Sequence, residues 1–210
     1  MHVLVIGATG GIGQKVLTRA LSEGHRVRAF ARTSDQLKIS DQKLEKHNGN
    51  ALNSEQLEMA LDGIDAVIFV LGVKIGELFS PIKIFSESTK ILIPIMEKIG
   101  ISRLITVTGF GAGDSSEAIN CIQRLPFQFF LGRAYADKDI QERLVKESKL
   151  DWTIVRPGVL TNGKSNGNYK VITEPSEWRN GTISRADVAD FIVKQLTDIE
   201  YIKLAPVLVN

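Results

Sequence analysis

The chain has 210 residues, 43% of them hydrophobic and 24% charged, and 26 lysines and arginines stand against 24 aspartates and glutamates. This composition excludes a mainly disordered or fibrous chain, and a net charge of +2 without a dense basic run argues against a nucleic-acid partner. The apolar runs are far shorter than the ~20 residues of a membrane helix, and the single cysteine, Cys121, fits a reducing compartment. We therefore expect a cytoplasmic protein with no membrane partner.

Short apolar runs alternate with longer amphipathic segments, a pattern typical of strands that alternate with helices. In chain order it predicts a strand at 2–6, a helix at 13–23, strands at 26–30 and 44–47, a helix at 54–61, a strand at 66–71, a helix at 80–98, a strand at 104–107, a helix at 137–148, a strand at 153–155, a helix at 184–196 and a short strand at 206–209. This order predicts an α/β fold with a Rossmann-like, doubly wound parallel sheet in one domain, 1–210. Within it, residues 1–108 form the expected cofactor-binding half and 109–210 the half with the substrate loops.

Two long stretches without a regular pattern, 109–136 and 157–182, each follow a predicted strand. In a parallel sheet both would lie at the carboxyl edge of the strands, where such folds bind ligands. Ser54, Ser80 and Ser184 stand at the predicted starts of three helices, and serine hydroxyls accept the backbone N–H bonds of a helix N-terminus. We therefore expect these serines to be N-caps.

The most informative segment is the glycine loop, residues 7–13, which follows the first strand and opens the first helix with the spacing G-x-x-G-x-x-G. Gly7 would allow a tight turn, Gly10 the close approach of a pyrophosphate, and Gly13 the close packing of helix on strand. A dinucleotide diphosphate would then accept N–H bonds at the helix N-terminus. The residues expected to bind it are Gly7, Thr9, Gly10, Gly11, Ile12 and Gly13.

The end of the second strand indicates which dinucleotide fits. Sites for NAD place Asp or Glu there, but after the second strand no carboxylate appears until Asp35. The guanidinium of Arg32 suits the 2′-phosphate of NADP(H), and Thr33 and Ser34 add hydroxyl or N–H donors. The sequence thus predicts NADP(H) as the cofactor, with a solvated surface arginine as the alternative interpretation of Arg32.

Two further pairs of residues follow predicted strands and are candidates for cofactor contacts. Asn50 and Ala51, after the third strand, are positioned to meet the adenine edge. Leu71 and Gly72, after the fourth strand, would let the backbone pass under the cofactor ribose. Ordinary loop residues are an equally good interpretation of all four.

Six segments, spread over nearly the whole chain, match a known family in order: 7–13, 30–32, 65–72 (DAVIFVLG), 104–109 (LITVTG), 148–158 (SKLDWTIVRPG) and 187–189. With them the chain resembles the atypical short-chain dehydrogenase/reductase superfamily, most closely its single-domain NAD(P)H-binding proteins of the biliverdin reductase B/flavin reductase and NmrA-like kind. The resemblance implies that Thr108, followed by Gly109, lies beside the nicotinamide ribose. It also implies that Pro157, Gly158 and Val159 pack against the nicotinamide ring.

The same resemblance puts Tyr135 and Lys138 near the position used for substrate and ribose contacts, so Thr108, Tyr135 and Lys138 are the candidate catalytic residues. The Tyr-x-x-x-Lys pair of orthodox superfamily members is absent, because Asp139 stands four residues after Tyr135. Tyr135 and Lys138 are three residues apart and would share a helix face. Gly109 replaces the serine that the flavin reductase relatives carry after the threonine, so one polar contact is missing.

The resemblance implies hydride transfer from NADPH to a small-molecule planar acceptor such as a flavin or a quinone. A flavin accepts hydride with little help from a protein acid, so the missing pair argues against carbonyl reduction more than against flavin reduction. Aromatic residues that could line an acceptor pocket are Phe110, Phe127, Phe129, Phe130, Tyr135 and Trp178.

One alternative is a non-catalytic redox sensor or assembly factor that binds NADP(H), which the missing pair and the missing serine favour. A sugar-nucleotide epimerase fits less well, since those enzymes generally need the Tyr/Lys pair and a larger carboxyl-terminal lobe. We expect no metal, because no His, Cys and carboxylate residues have metal-ligand spacing. We expect a monomer or a weak homodimer.

Overall fold

Strands and helices alternate along the chain. The computed structural model describes residues 1–73, 76, 81–118 and 121–210, with the backbone alone for 121–130. Within these ranges the elements are, in chain order, β1 (His2–Ile6), α1 (Gly11–Ser22), β2 (Arg26–Ala31), β3 (Leu44–Asn48), α2 (Ser54–Leu61), β4 (Ala66–Phe69), α3 (Ile84–Ile99), β5 (Arg103–Val107), α4 (Cys121–Glu147), β6 (Asp151–Pro157), β7 (Val159–Thr161), β8 (Lys170–Ile172), β9 (Thr182–Ser184), α5 (Arg185–Lys194) and β10 (Val207–Val209).

Eight of the described strands form one sheet in the order β3-β2-β1-β4-β5-β6-β10-β8, and β7 pairs with β9 in a separate sheet. Pairing in the large sheet is parallel except between β10 and β8, which run antiparallel. The strand order reverses at β1, so the carboxyl ends of β1 and β4 form the switch point where such sheets bind ligands. The predicted single-domain, Rossmann-like α/β fold is confirmed.

Helices cover both faces of the sheet, and alternate residues of each strand point to opposite faces. Val3 and Val5 of β1 pack in the apolar cluster that includes α1 and α5, whereas Leu4 and Ile6 pack in the cluster that includes α2, α3 and α4. All four side chains are fully buried. Burial on both faces explains why the central strands are continuous apolar runs in the sequence.

The largest departure from prediction is α4, which begins at Cys121 rather than at residue 137. The helix replaces much of the stretch 109–136, which the sequence predicts to be irregular. Pro126 and Gly132 disfavour a helix locally, and both lie inside α4. The later part of the helix packs against α3 and the sheet and buries Val145, and such tertiary packing supplies most helix stability in proteins.

The second stretch predicted to be irregular, 157–182, contains the short strands β7 and β8. Asn53, rather than Ser54, is the N-cap of α2, because its side-chain oxygen accepts the N–H of Gln56 at 3.0 Å. The amide oxygen of Asn53 therefore has the role that the sequence assigns to the Ser54 hydroxyl.

The serine N-caps predicted for two other helices, α3 and α5, have different outcomes. α3 begins at Ile84, and Ser80 lies outside the described residues. Ser184 caps α5 as predicted, since its hydroxyl accepts the N–H of Asp187 at 2.9 Å. Within the described ranges, no helix is both long enough and apolar enough to cross a membrane.

Candidate functional site

The glycine loop lies at the carboxyl edge of the sheet, between β1 and α1. Gly7 has a φ of +89°, and a Cβ added to it would lie 2.7 Å from the carbonyl oxygen of Val70, just after β4. A Cβ added to Gly13 would lie 2.9 Å from the Cα of Ala8, and Thr9 between the two glycines is half-buried. A side chain at Gly7 would therefore collide with the backbone after β4, and one at Gly13 would push the start of α1 away from the loop.

The N-terminus of α1 has the properties of an anion site. Gly10 is its N-cap, none of the described side chains caps this end, and its first turn carries no acidic residue. The amides of Gly11, Ile12 and Gly13 have no acceptor within the helix, as in any first turn, and Gly10 and Gly11 are exposed. These N–H groups and the positive end of the helix dipole fit the diphosphate of a dinucleotide.

The end of β2 supplies the residues expected at the adenosine end of a cofactor. Arg32 and Thr33 are exposed, and Arg32 has no ion-pair partner in the part of the chain that the structure describes. Ser34 is fully buried and donates its hydroxyl to Oδ1 of Asn48 at 2.7 Å, and the same oxygen accepts the N–H of Asp35 at 3.1 Å. The guanidinium of Arg32 is therefore available to a ligand, whereas the Ser34 hydroxyl is used to join the loop to β3.

Two of the four residues expected beside the adenine and the ribose make contacts within the protein. The side-chain oxygen of Asn50 accepts the N–H of Leu52 at 3.0 Å, and Ala51 is buried in the apolar core. Leu71 is half-buried, and Gly72 is exposed with open space where a Cβ would stand. Of these four positions, Gly72 offers the most room for a ligand.

The structure brings together Thr108, Lys138, Tyr135 and Gly109, the residues expected at the nicotinamide end. The ammonium group of Lys138 donates to the carbonyl oxygen of Thr108, and it lies 5.1 Å from the ring centre of Phe85 and 5.5 Å from that of Tyr135. Burial lowers the pKa of Lys138 to about 8, from an ordinary value of 10.5. The lysine thus stands at the end of β5 within reach of any group bound there.

The hydroxyl of Tyr135 occupies the space beside Gly109. A Cβ added to Gly109 would lie 2.5 Å from Oη of Tyr135, so the tyrosine fills the place that a serine side chain would need. Burial, together with the carboxylate of Asp139, raises the pKa of Tyr135 to about 12. This shift is opposite to the lowered pKa of a Tyr/Lys acid pair, and it keeps the phenol protonated as a hydrogen-bond donor.

A buried ion cluster lies behind Thr108, and the sequence reasoning missed it. Arg156 at the end of β6 is fully buried and donates Nε to Oε1 of Glu142 at 3.0 Å. The same carboxylate oxygen accepts the hydroxyl of Thr108 at 2.7 Å, and Arg156 also pairs with Asp114 and lies 5.1 Å from the ring centre of Trp178. The available signal was an arginine inside an otherwise apolar strand, because a buried charge needs a partner.

The charges in this cluster stabilise one another. Burial favours the neutral form of Asp114, but the guanidinium of Arg156 outweighs that effect and holds the pKa of the carboxyl below its ordinary value. Burial also opposes the charge of Arg156, and the hydrogen bonds and the charge of Glu142 overcome it and raise the pKa of the guanidinium. Arg156 and Asp114 therefore favour each other's charged forms, and Oε1 of Glu142, which Arg156 holds in place, fixes the orientation of the Thr108 hydroxyl.

Asp137 is a second residue that sequence reasoning missed. Its buried carboxylate accepts the N–H of Phe85 at 2.9 Å and that of Ser86 at 3.3 Å, and it also accepts the Ser86 hydroxyl. A side chain of α4 therefore binds the first turn of α3. Because Lys138 follows Asp137 directly, this contact also fixes the part of α4 that carries the lysine.

The segment expected to pack on the nicotinamide ring leaves β6 and enters β7. Pro157 is buried, and its carbonyl accepts the N–H of Phe110 at 2.9 Å. A Cβ on Gly158 would collide with the carbonyl oxygen of Gly181, and the side chain of Val159 is 57% exposed. Val159 is therefore the member of this segment whose side chain is accessible to a ligand.

Two of the six aromatic residues expected to line a pocket belong instead to a small apolar cluster. Phe110 is buried with Ile172, Val207 and Val209, and Trp178 packs against them. Phe127, Phe129 and Phe130, like Cys121, have side chains outside the described part of the structure. No group of three or more His, Cys, Asp or Glu side chains in the described ranges could hold a metal ion.

Residues 7–199 match the NAD(P)H-binding family. The chain belongs to this family. It is also similar in structure to ChuY, an anaerobilin reductase from Escherichia coli O157:H7, with 27% identity and a TM-score of 0.82 over 100% of this chain and 97% of that one. These findings confirm the predicted resemblance to NAD(P)-binding oxidoreductases of the atypical short-chain dehydrogenase/reductase type.

Two relatives by sequence add to this comparison. An uncharacterized chloroplastic protein of Arabidopsis thaliana is 29% identical over 205 residues, which are 94% of this chain and 72% of that protein. The photosystem II assembly factor Ycf39 of Synechocystis sp. is 24% identical over 92% of this chain and 58% of its own length. The proteins similar to this chain therefore include one named as an assembly factor and one named as a reductase.

Proposed function

We propose that the protein is an NADPH-dependent reductase that transfers hydride to a planar acceptor such as a flavin or a quinone. The observation that carries the proposal is the contact of Lys138 with Thr108 and Tyr135. These three residues lie at the same edge of the sheet as the glycine loop and the N-terminus of α1, which none of the described side chains caps. Membership of the NAD(P)H-binding family and similarity to an anaerobilin reductase both support it.

When bound, NADPH supplies the hydride, and the protein has to hold the nicotinamide ring and the acceptor in contact. The Lys138 ammonium uses one N–H on the carbonyl of Thr108 and keeps others for a ribose hydroxyl. Tyr135 lies beside Gly109 at the same place, and its raised pKa keeps the phenol protonated. Since the raised pKa of Tyr135 makes it a weak acid, acceptors that need no protein acid suit this site best.

The direct test mixes the purified protein with NADPH and a panel of flavins, quinones and anaerobilin, and follows loss of absorbance at 340 nm. We expect turnover with at least one member of the panel and a lower rate in the Lys138→Met variant. A protein that binds NADPH and turns over none of these acceptors would contradict the reductase proposal.

The preference for NADPH over NADH is proposed from Arg32, whose exposed guanidinium lacks an ion-pair partner among the described residues. Arg32→Ala should weaken NADPH binding by ~1.5–3 kcal/mol, the loss of a charge-assisted bond to the 2′-phosphate, and barely change NADH binding. Arg143→Ala, which removes an exposed arginine of α4, is the matched control. Calorimetric titration of both cofactors measures the effect, and equal losses for the two would contradict the assignment.

A second candidate function is a non-catalytic NADP(H)-binding redox sensor or assembly factor. The similarity to the assembly factor Ycf39 favours it, together with the absence of the Tyr-x-x-x-Lys pair. In that case a protein partner captured by the tagged chain would bind with different affinity in the presence of NADP+ and of NADPH. Indifference to the cofactor, with turnover in the acceptor assay, would exclude this candidate.

A further inference from the structure

The side chain of Arg185 lies over the glycine loop. Arg185 is the first residue of α5, and a Cβ added to Gly11 would lie 3.0 Å from both its Cδ and its Nε. The guanidinium is held from its other side, because Nη1 donates to Oδ1 of Asn162 at 2.7 Å. An arginine from the last helix is therefore fixed at the mouth of the N-terminus of α1.

Among the residues that the structure describes, none supplies a counter-charge to Arg185. In the part of the chain that the structure describes it forms no ion pair, and the two carboxylates of α5 are used elsewhere. Asp187 accepts hydrogen bonds from Ser184 and from the segment 165–167, and Asp190 pairs with Arg19 and Lys194. The cation nevertheless stands at the N-termini of two helices, α1 and α5, where the helix dipoles disfavour positive charge.

An anion bound at this place would compensate the charge of Arg185 and interact favourably with both helix ends. The exposed amides at the start of α1 suit a diphosphate, which carries two negative charges, and a guanidinium bridges two phosphate oxygens well. Building on the proposed dinucleotide function, we infer that Arg185 is a diphosphate-binding residue, which would bind the cofactor beside the first turn of α1. Asn162 is its positioning residue, because it holds the guanidinium in this place.

This assignment separates the roles of two arginines. Arg32 is proposed to recognise the 2′-phosphate, which NADPH has and NADH and ADP-ribose lack. Arg185 would bind the diphosphate, which all three of these ligands carry. Loss of Arg185 should therefore weaken all three ligands by the same factor, whereas loss of Arg32 should weaken NADPH alone.

The experiment measures the affinity of NADPH by its fluorescence, and the affinities of NADH and ADP-ribose by competition, for the wild type and for three variants. We expect Arg185→Ala to weaken each ligand by about 10- to 100-fold, as for the loss of a charge-assisted hydrogen bond to phosphate. Asn162→Ala should weaken each by a smaller factor. Arg143→Ala, the exposed control on α4, should leave all affinities unchanged.

Thermal unfolding of the ligand-free variants shows whether they are folded, and Arg185→Lys, which keeps the charge, should recover part of the affinity. If Arg185→Ala is folded and binds the ligands as tightly as the wild type, the assignment is wrong while the proposed reductase is untouched. If it loses NADPH but keeps ADP-ribose, the diphosphate role is also wrong. A wild type that binds NADPH but reduces no acceptor would overturn the reductase and leave Arg185 as assigned.

Discussion

The ion cluster behind Thr108 makes a quantitative prediction for Glu142→Ala. In the wild type both Arg156 and Glu142 are buried, with 0% and 1% of their surface exposed. The substitution leaves the guanidinium in the interior with Asp114 as its remaining carboxylate, and the side chain of Asp114 is 57% exposed. It also removes the acceptor of the Thr108 hydroxyl. The variant therefore loses the buried one of the two carboxylates that compensate the charge of Arg156.

Removing one partner of a buried ion pair costs about 3–5 kcal/mol of unfolding free energy. Because Asp114 remains, we expect the lower end for Glu142→Ala, about 3 kcal/mol. For a chain of this length, that corresponds to a fall in the melting temperature of about 6–12 °C. Replacing both charges, as Glu142→Leu with Arg156→Met, should recover much of the loss, since no uncompensated charge stays buried.

Urea unfolding followed by circular dichroism measures these free energies, and calorimetry measures the melting temperatures. Glu147→Ala, an exposed glutamate near the end of the same helix, is the control and should change stability by no more than about 0.5 kcal/mol. The reasoning fails if Glu142→Ala loses less than about 1 kcal/mol, or if the double variant is less stable than Glu142→Ala.

Three further predictions concern Lys138, Gly109 and Asp187. Burial lowers the pKa of Lys138 from its ordinary value of 10.5 to about 8, so the folded state binds fewer protons than the unfolded state between about pH 8 and pH 10.5. The unfolding free energy should therefore rise with pH across this window more in the wild type than in Lys138→Met. Gly109→Ala should cost about 1–3 kcal/mol, because Gly109 has a φ of +154° and the new Cβ would displace the Tyr135 hydroxyl, and the second part of the cost should fall in a Tyr135→Phe background. Asp187→Ala should speed proteolysis near residues 165–167, since its carboxylate accepts both backbone N–H groups at 166 and 167.

Each of these three predictions has its own assay and a result that would contradict it. Thermal midpoints between pH 7 and 11 test Lys138, and parallel curves for wild type and variant would contradict the burial argument. A double-mutant cycle tests Gly109, and additive losses would show that the tyrosine hydroxyl is not the obstacle. Limited proteolysis tests Asp187 against Glu174→Ala, an exposed control, and equal cleavage rates would contradict the anchoring role.

The sequence predicts the sheet and the glycine loop well because both depend on local patterns. Apolar runs such as 2–6 mark buried strands, and the spacing of Gly7 and Gly13 reflects contacts within one strand-to-helix turn. The start of α4 could not be predicted in the same way. Pro126 and Gly132 oppose a helix locally, and its stability comes from packing on α3 and the sheet.

The sequence indicates the candidate site only in part. Thr108 and Lys138 are taken from the family resemblance, whereas the partners of Arg156 lie 14 and 42 residues away in the chain, and no local pattern indicates them. The hydrogen bond from the Ser34 hydroxyl, after β2, to Asn48 of β3 is likewise not indicated by a local pattern. Long-range polar contacts are set by the completed fold, so a single sequence does not reveal them.

The contact between Asp137 and the first turn of α3 has a consequence for how this site can be altered. The Asp137 carboxylate holds Phe85 and Ser86 in place, and the Phe85 ring lies 5.1 Å from the Lys138 ammonium. A substitution at the start of α3 should therefore also move the lysine next to Asp137, even where the new side chain itself contacts no ligand.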